Sequence, residues 1–161
     1  MKYTKEKIKR IITYDCYIPF QVRFNEGYAT DYLIIRKGNS SLLEFGFNEY
    51  NFFVYRITLV ICKEYQKVPH LYSMPKDYKE GDILIDQSEE IYTDIFYCEI
   101  YLDAVKIIVS NNKVNEIIKS DNVIWELDNN DDLVSICVLD SSGKVSYNCY
   151  DVLWTNTLNR Q

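Results

Sequence analysis

The chain has 161 residues, of which 47% are hydrophobic, 26% charged and 15% aromatic, and its formal net charge is −6. This length provides enough apolar side chains for one domain and too few for two typical ones, and the many aromatic residues exclude a disordered chain or a coiled coil. We therefore expect a single domain over residues 1–161 that folds without a disulfide or a structural metal ion.

The first predicted element is a short N-terminal helix. Thr4 is a suitable N-cap residue, and Ile8, Ile11 and Ile12 follow it at helical spacing, so their side chains share one stripe. This pattern predicts a helix over residues 5–13.

The rest of the chain is predicted to be mainly β. Alternating or β-branched apolar runs predict strands at residues 16–24, 31–36, 42–48, 52–65, 83–85, 95–102, 105–109, 123–127, 133–139 and 145–150. Residues 67–81 contain two prolines and are typical of a surface loop, and residues 114–119 have room for one or two helical turns. No long amphipathic helices alternate with the strands. We therefore expect an α+β fold with a mainly antiparallel or mixed sheet, the short N-terminal helix and few other helices.

The strongest hairpin signal lies in residues 42–65. Two strand-like runs are joined there by a polar connection, and Gly46 within the first run indicates a bulge or a close backbone approach. In the second run Tyr55, Ile57 and Leu59 share one face, which is predicted to be the core face, while the opposite face is mixed.

The sequence indicates a cytoplasmic protein. The basic residues at the start are not followed by the apolar segment of a signal peptide, and the most apolar stretch is too short to cross a bilayer. The cysteines are odd in number, scattered and set in apolar sequence, which favours reduced core thiols over a disulfide framework. They are Cys16, Cys62, Cys98, Cys137 and Cys149.

Charge is divided unevenly along the chain. Residues 1–80 contain 13 Lys and Arg and 9 Asp and Glu, whereas residues 81–161 contain 5 Lys and Arg and 15 Asp and Glu. The acids concentrate in residues 82–103, which hold no basic residue, and in residues 121–132. An acidic face repels nucleic acid and anionic lipid and attracts a basic protein, so we expect no nucleic-acid or membrane binding. The alternative is that the acids only keep a Tyr-rich domain soluble.

The sequence gives little support for catalysis. His70 is the only histidine and lies beside a proline, so an exposed loop residue is expected rather than a catalytic base. No cysteine spacing suits zinc, and no phosphate-binding glycine loop is present. Asp128, Asn130 and Asp132 occupy alternating positions, as in a calcium loop, but the glycine and glutamate of such a loop are missing. This favours an Asx-rich hairpin turn, with weak calcium binding as the alternative. We expect no enzymatic activity and no cofactor or metal.

Aromatic residues lie among the acids of both clusters. Tyr and Trp provide a large rigid contact area with a polar tip, and beside carboxylates they suit a partner rich in Lys and Arg. The alternative is that these tyrosines are ordinary half-buried strand residues. The predicted partner-binding residues are Asp86, Glu89, Glu90, Tyr92, Asp94, Tyr97, Glu99, Tyr101, Asp103, Trp125, Asp128, Asp131 and Asp132.

The hairpin segments at residues 42–47 and 55–60 are similar to segments of the immunity proteins of bacterial polymorphic-toxin and contact-dependent growth-inhibition systems. The resemblance implies an inhibitor that binds and neutralises a cognate toxin domain, often a basic nuclease, through the acidic surface or an exposed sheet edge. Two other functions stay open. One is a hydrolase assembled from carboxylates distant in sequence, and the other is a structural subunit of a homo-oligomer.

Overall fold

Strands dominate the computed structural model, which describes residues 1–13, 18–24, 27–144, 147 and 149–153. Cys16 lies outside the described residues. The strands are β1 (Lys2–Thr4), β2 (Arg10–Thr13), β3 (Phe20–Phe24), β4 (Asp31–Lys37), β5 (Ser41–Phe47), β6 (Val54–Cys62), β7 (Tyr65–Lys67), β8 (Lys79–Glu80), β9 (Asp82–Leu84), β10 (Glu89–Tyr92), β11 (Tyr97–Ile100), β12 (Ala104–Ile108), β13 (Glu116–Ser120), β14 (Val123–Leu127) and β15 (Leu133–Leu139). Residues 144, 147 and 149–153 are helical.

Two large sheets contain most of these strands. The six-stranded sheet has the order β10-β4-β5-β6-β3-β2 and is antiparallel except that β10 runs parallel to β4. The seven-stranded sheet has the order β7-β11-β12-β15-β14-β13-β8, and only its edge strands β7 and β8 run parallel to their neighbours. A further antiparallel pair joins β1 to β9. Parallel pairing is thus confined to edge strands that come from distant parts of the chain.

A hydrophobic core fills the space between the two large sheets. Phe20 and Phe45 of the first sheet and Trp125 and Ile136 of the second are fully buried within the same cluster of side chains. The rings of Phe45 and Trp125 meet with their centroids 5.5 Å apart. The inward faces of the two sheets therefore hold each other in place, as in a β-sandwich.

The predicted N-terminal helix over residues 5–13 is wrong, and with it the α+β class, because the described fold is essentially all-β. Part of this segment forms β2, which pairs antiparallel with β3, and Ile11 is 45% exposed. Thr4 Oγ1 accepts a hydrogen bond from the Glu6 N–H at 3.3 Å, as a helix cap does, but no helical turn follows. The β-branched pair Ile11 and Ile12 suits a strand at least as well as a helical stripe, and pairing with β3 selects the strand.

The predicted strand at residues 145–150 is also wrong where it can be compared, since residues 147, 149 and 150 are helical, and residues 145, 146 and 148 lie outside the described residues. The N–H of Tyr147 donates to the carbonyl four residues before it at 3.0 Å, which is helical spacing. The buried side chains here are Cys149, Val152 and Leu153, and intervals of three and four residues place them on one helical face. Nowhere in the described residues does a helix reach the length and apolar character that crossing a membrane requires.

The central hairpin is confirmed, and so is the irregularity predicted at Gly46. β5 and β6 pair antiparallel, and their register shifts beside Leu42 and again beside Gly46. A Cβ atom at Gly46 would lie 2.7 Å from the Cβ of Ala29, so the chain before β4 passes over β5 where no side chain stands. The predicted helical turns at residues 114–119 are absent, since β13 occupies most of that stretch.

The register shifts alter the predicted core face of β6. Ile57 and Leu59 are buried as predicted, but Tyr55 is only half-buried. Val54 and Cys62, at the two ends of the strand, are buried instead. Each bulge adds a residue to one strand and so exchanges the inward and outward positions beyond it.

Truncation at the sheet interface should destabilise the whole fold. We expect Phe45→Ala to lower the free energy of unfolding by about 3–5 kcal/mol, the usual cost of removing a buried aromatic ring. Urea denaturation of the pure chain measures this loss. The control is Tyr50→Ala, since Tyr50 is 80% exposed and the change should stay within about 0.5 kcal/mol. Equal effects of the two variants would contradict the packing of Phe45 on Trp125.

Candidate functional site

A groove of about 510 Å³ opens at the edge of the sandwich beside β10. It is built from β4 and β10 of the first sheet, from the chain after β12 and the start of β15 in the second, and from the segment after β9. Its lining residues are Met1, Leu33, Ile35, Ile85, Asp86, Gln87, Glu89, Ile91, Tyr92, Thr93, Val109, Ser110, Asn112, Asp132 and Leu133.

The floor of the groove is apolar and its rim is acidic. Leu33 and Ile35 of β4 lie opposite Val109 and Leu133 of the second sheet, and all four belong mainly to the core. Asp86, Glu89 and Asp132 supply carboxylates from three different segments of the chain. An apolar base with a few converging charged groups is the usual construction of a binding site.

The three groove carboxylates differ in their local partners. Asp86 accepts a hydrogen bond from Lys2 Nζ at 2.5 Å, and this bond lowers the pKa of Asp86 below its ordinary value. Glu89 and Asp132 are exposed and form no ion pair with any other described residue. Within the described residues, these two carboxylates therefore face solvent at the groove without a side-chain ion pair.

Asp128 positions the loop that carries Asp132. Its Oδ1 accepts hydrogen bonds from the N–H groups of Asn130 and Asp132 at 2.8 and 3.1 Å, and its Oδ2 accepts one from Asn112 Nδ2 at 2.7 Å. The Asn112 bond, followed by the backbone bonds, lowers the pKa of Asp128. Asp131 takes the left-handed conformation, with φ of 61°. The predicted Asx-rich hairpin turn is confirmed, because one ionised carboxylate closes this loop.

Strand β10 is tied to both sheets, so the groove has a fixed wall. Within the first sheet Glu90 forms an ion pair with Arg36 at 3.0 Å, and Ser88 Oγ donates to the carbonyl of Tyr32 at 2.8 Å. Towards the second sheet, Thr93 Oγ1 donates to the carbonyl of Val109 at 2.9 Å. Ligands that enter a preformed site need less ordering of the protein, which favours affinity.

The groove unites four of the predicted partner-binding residues, namely Asp86, Glu89, Tyr92 and Asp132. Glu90 is paired with Arg36 rather than lining the groove. Asp94 and Asp131 are exposed but are not part of its lining, and Tyr97 is half-buried on β11. The two acidic clusters of the sequence thus meet in space through only some of their members.

Three further predicted residues form a separate patch on the outer side of the second sheet. Tyr101 OH donates to Glu99 Oε2 at 2.6 Å, and the Tyr72 N–H donates to Asp103 Oδ1 at 2.7 Å. The Tyr72 and Tyr101 rings pack edge to face, with His70 at the exposed margin as predicted. Burial, reinforced by the bond to Glu99, raises the pKa of Tyr101 well above its ordinary value. These acids are held by contacts within the chain and do not extend the groove.

Two predicted residues cannot serve as surface contacts. Trp125 has no exposed surface and packs on Phe45 in the core. Asp128 is 2% exposed, and its carboxylate accepts hydrogen bonds from the loop backbone. The acidic residues around them in sequence suggested exposure, but every residue of β14 is buried, as in a central strand covered on both faces.

The apolar floor and the polar side chains Gln87, Ser110 and Asn112 are not among the residues predicted from the sequence. The floor residues lie in predicted strands, and no local signal distinguishes a core residue that also lines a groove. Among the described residues, no three His, Cys, Asp or Glu side chains are close enough together to hold a metal ion.

The chain is therefore an all-β sandwich with an acidic groove at one edge. The FAINT family model, described as a domain of unknown function, DUF529, matches residues 84–156, which is less than half of the chain. The matched stretch runs from the end of β9 past β15 and so contains β10 and the Asp132 loop. No curated protein matches the chain significantly. The similarity thus covers much of the groove and names no activity.

The Asp128 network should make part of the fold stability depend on pH. The pKa of Asp128 is lower in the folded chain than the value of about 3.9 expected when unfolded, so its contribution is complete at neutral pH and is lost as pH falls below about 4. We expect Asp128→Asn to lower the thermal unfolding midpoint at pH 7, and the difference from the wild type to narrow towards pH 3.

The matched control for this measurement is Asn129→Ala. Asn129 is exposed in the same turn, so its midpoint should follow that of the wild type at both pH values. A difference between Asp128→Asn and the wild type that stays constant with pH would show that the charge of Asp128 does not hold the loop.

Proposed function

We propose that this chain is a non-enzymatic binding protein whose acidic groove takes a basic protein partner, and that the partner is a toxin domain which the chain neutralises. The observation that carries the proposal is the convergence of Asp86, Glu89 and Asp132 on one apolar-floored groove. These residues come from both acidic clusters, which only the fold brings together.

Unpaired charge at the rim suits rapid capture of a basic partner. Glu89 and Asp132 face solvent, so their field extends outward and steers a cationic surface towards the groove. Charge of this kind mainly raises the association rate, whereas tight apolar contacts mainly slow dissociation. The groove offers both, because its carboxylates surround a base of Leu, Ile and Val side chains.

Tyr92 supplies an aromatic contact at the same rim. Its side chain is 67% exposed although it ends a strand, and it lines the groove beside Glu89. Tyrosine anchors protein interfaces through a rigid ring and a hydroxyl, and the ring can stack on an Arg or Lys of a partner. An exposed ring between carboxylates is therefore matched to a basic surface.

The toxin-inhibitor form of the proposal rests on the resemblance of the central hairpin to immunity proteins, whose partners are toxin domains. A cytoplasmic location belongs to the same proposal. The four cysteines in the described residues are free thiols and are buried, which suits a reducing compartment.

Hydrolysis by these carboxylates fits the groove less well. A carboxylate pair needs one member that holds a proton at working pH, and the bond from Lys2 instead lowers the pKa of Asp86. A metal-assisted reaction needs clustered ligands, and the groove acids are not clustered in that way. Binding of a basic partner requires neither a protonated carboxylate nor clustered metal ligands.

Charge reversal in the groove tests the proposal. The wild-type chain is used to capture its partner at low ionic strength, and binding kinetics are then followed over a salt series. We expect Glu89→Lys combined with Asp132→Lys to slow association about tenfold or more and to flatten its salt dependence, because steering is lost. Tyr92→Ala should leave association unchanged and accelerate dissociation.

The matched control is Glu49→Lys combined with Asp77→Lys, which changes net charge equally at exposed positions outside the groove. It should bind like the wild type. If both double variants slow association equally, net charge alone and not the groove controls association.

The toxin form of the proposal is tested separately. The captured partner, expressed alone, should arrest growth, and co-expression of the wild-type chain should restore growth. Turnover of a small substrate that Glu89→Gln abolishes would favour the hydrolase instead.

A further inference from the structure

A second concave site lies on the outer face of the six-stranded sheet and has the opposite charge. It is a cleft of about 290 Å³ lined by Arg23, Gly27, Tyr28, Ala29, Tyr32, Tyr55 and Arg56. The strands β3, β6 and β4 provide its floor, and the segment before β4 provides one wall.

Two arginines stand directly opposite each other in this floor. Arg23 of β3 and Arg56 of β6 are register partners in the antiparallel pair, so their side chains leave the same face of the sheet. Like charges at directly opposed positions destabilise a sheet. An anion bound between the two guanidinium groups would relieve their repulsion.

The described residues neutralise the positive charge of the pair only in part. Arg56 Nη2 donates to Glu44 Oε1 and to Tyr32 OH, both at 3.0 Å, while its buried Nε–H has no acceptor. Arg23 donates its Nε–H to the neutral side chain of Gln21 and has no ion pair with any other described residue. Among the described residues, Arg23 therefore lines the cleft without a carboxylate partner.

Glycines let the segment before β4 pack closely onto the sheet, and tyrosines line the cleft. Gly46 is the register partner of both Arg56 and Tyr32, and Ala29 lies over it, since a Cβ atom at Gly46 would be 2.7 Å from the Ala29 Cβ. Gly27 has φ of 103°, and a Cβ there would collide with the Tyr55 ring, so the wall can approach that ring only through glycine. Tyr28, next to Gly27 in the same wall, is 70% exposed.

We propose that this cleft binds a phosphate monoester attached to a flat ring. The phosphate carries between one and two negative charges at neutral pH, and arginine forks bind its oxygens in pairs. The tyrosine rings supply stacking surface for the ring of the ligand. The volume is at the small end of the range for ligand pockets, about 300–1,000 Å³, which suits one phosphoryl group and one ring.

Calorimetric titration of the full chain at low ionic strength tests the site. The probes are phosphotyrosine, adenosine monophosphate, inorganic phosphate and unmodified tyrosine. We expect a phosphate monoester to bind, unmodified tyrosine not to bind, and Arg23→Gln to weaken binding at least tenfold. Tyr28→Ala should lower the affinity for the ester and leave the lower affinity for inorganic phosphate unchanged. Tighter binding of phosphotyrosine identifies a modified side chain as the source, and tighter binding of the monophosphate identifies a nucleotide.

Arg36→Gln is the matched control, because it removes the same charge from the same sheet outside the cleft, where Arg36 is paired with Glu90. It should bind the ester like the wild type. The site would be disproved if neither ester binds, if Arg23→Gln and Arg36→Gln lose affinity equally, or if inorganic phosphate binds as tightly as the esters. Arg23 is exposed and its removal relieves the repulsion with Arg56, so Arg23→Gln should have a thermal midpoint at or above that of the wild type, which excludes misfolding as the cause of lost binding.

Discussion

The parallel pairing of β10 with β4 is the constraint from which the groove follows. This short strand closes the edge of the six-stranded sheet, and Thr93 immediately after it is bonded to the carbonyl of Val109 in the other sheet. Without β10, the inward side chains of β4 would be open to solvent at that edge. With it, they become the floor of a groove whose wall also carries Glu89 and Tyr92.

The uneven charge of the sequence becomes an uneven charge of the two sheets. β2 to β6 come from the basic half of the chain and build five of the six strands of the first sheet, whereas β11 to β15 come from the acidic half and build most of the second. β10 is the exception, an acidic strand placed on the sheet of the basic half. The Glu90–Arg36 ion pair joins the two at this boundary.

Local sequence patterns predicted those parts of the fold whose contacts are local. β4, β5, β6, β14 and β15 have apolar runs bounded by turn residues, and the pairs β4–β5, β5–β6 and β14–β15 join strands that follow each other in the chain. β10 has the polar sequence EEIY and finds its partner more than fifty residues away, so no local signal marks it. For the same reason the meeting of Asp86 with Asp132 follows only from the fold. Trp125 was wrongly predicted to lie at the surface, because the prediction relied on its acidic neighbours and not on the apolar pattern of its own strand.

The two concave sites differ in how their charges are tolerated. The groove carboxylates are spread over three segments at an open rim, where solvent weakens their mutual repulsion. Arg23 and Arg56 are forced together by strand register, and Arg56 is partly removed from solvent, so water relieves their repulsion less. Spread charge at a rim suits attraction of a large surface from a distance, whereas two convergent donors over a small cleft suit one compact anion. The same sandwich therefore has spread negative charge at its edge and two opposed arginines in a cleft on its face.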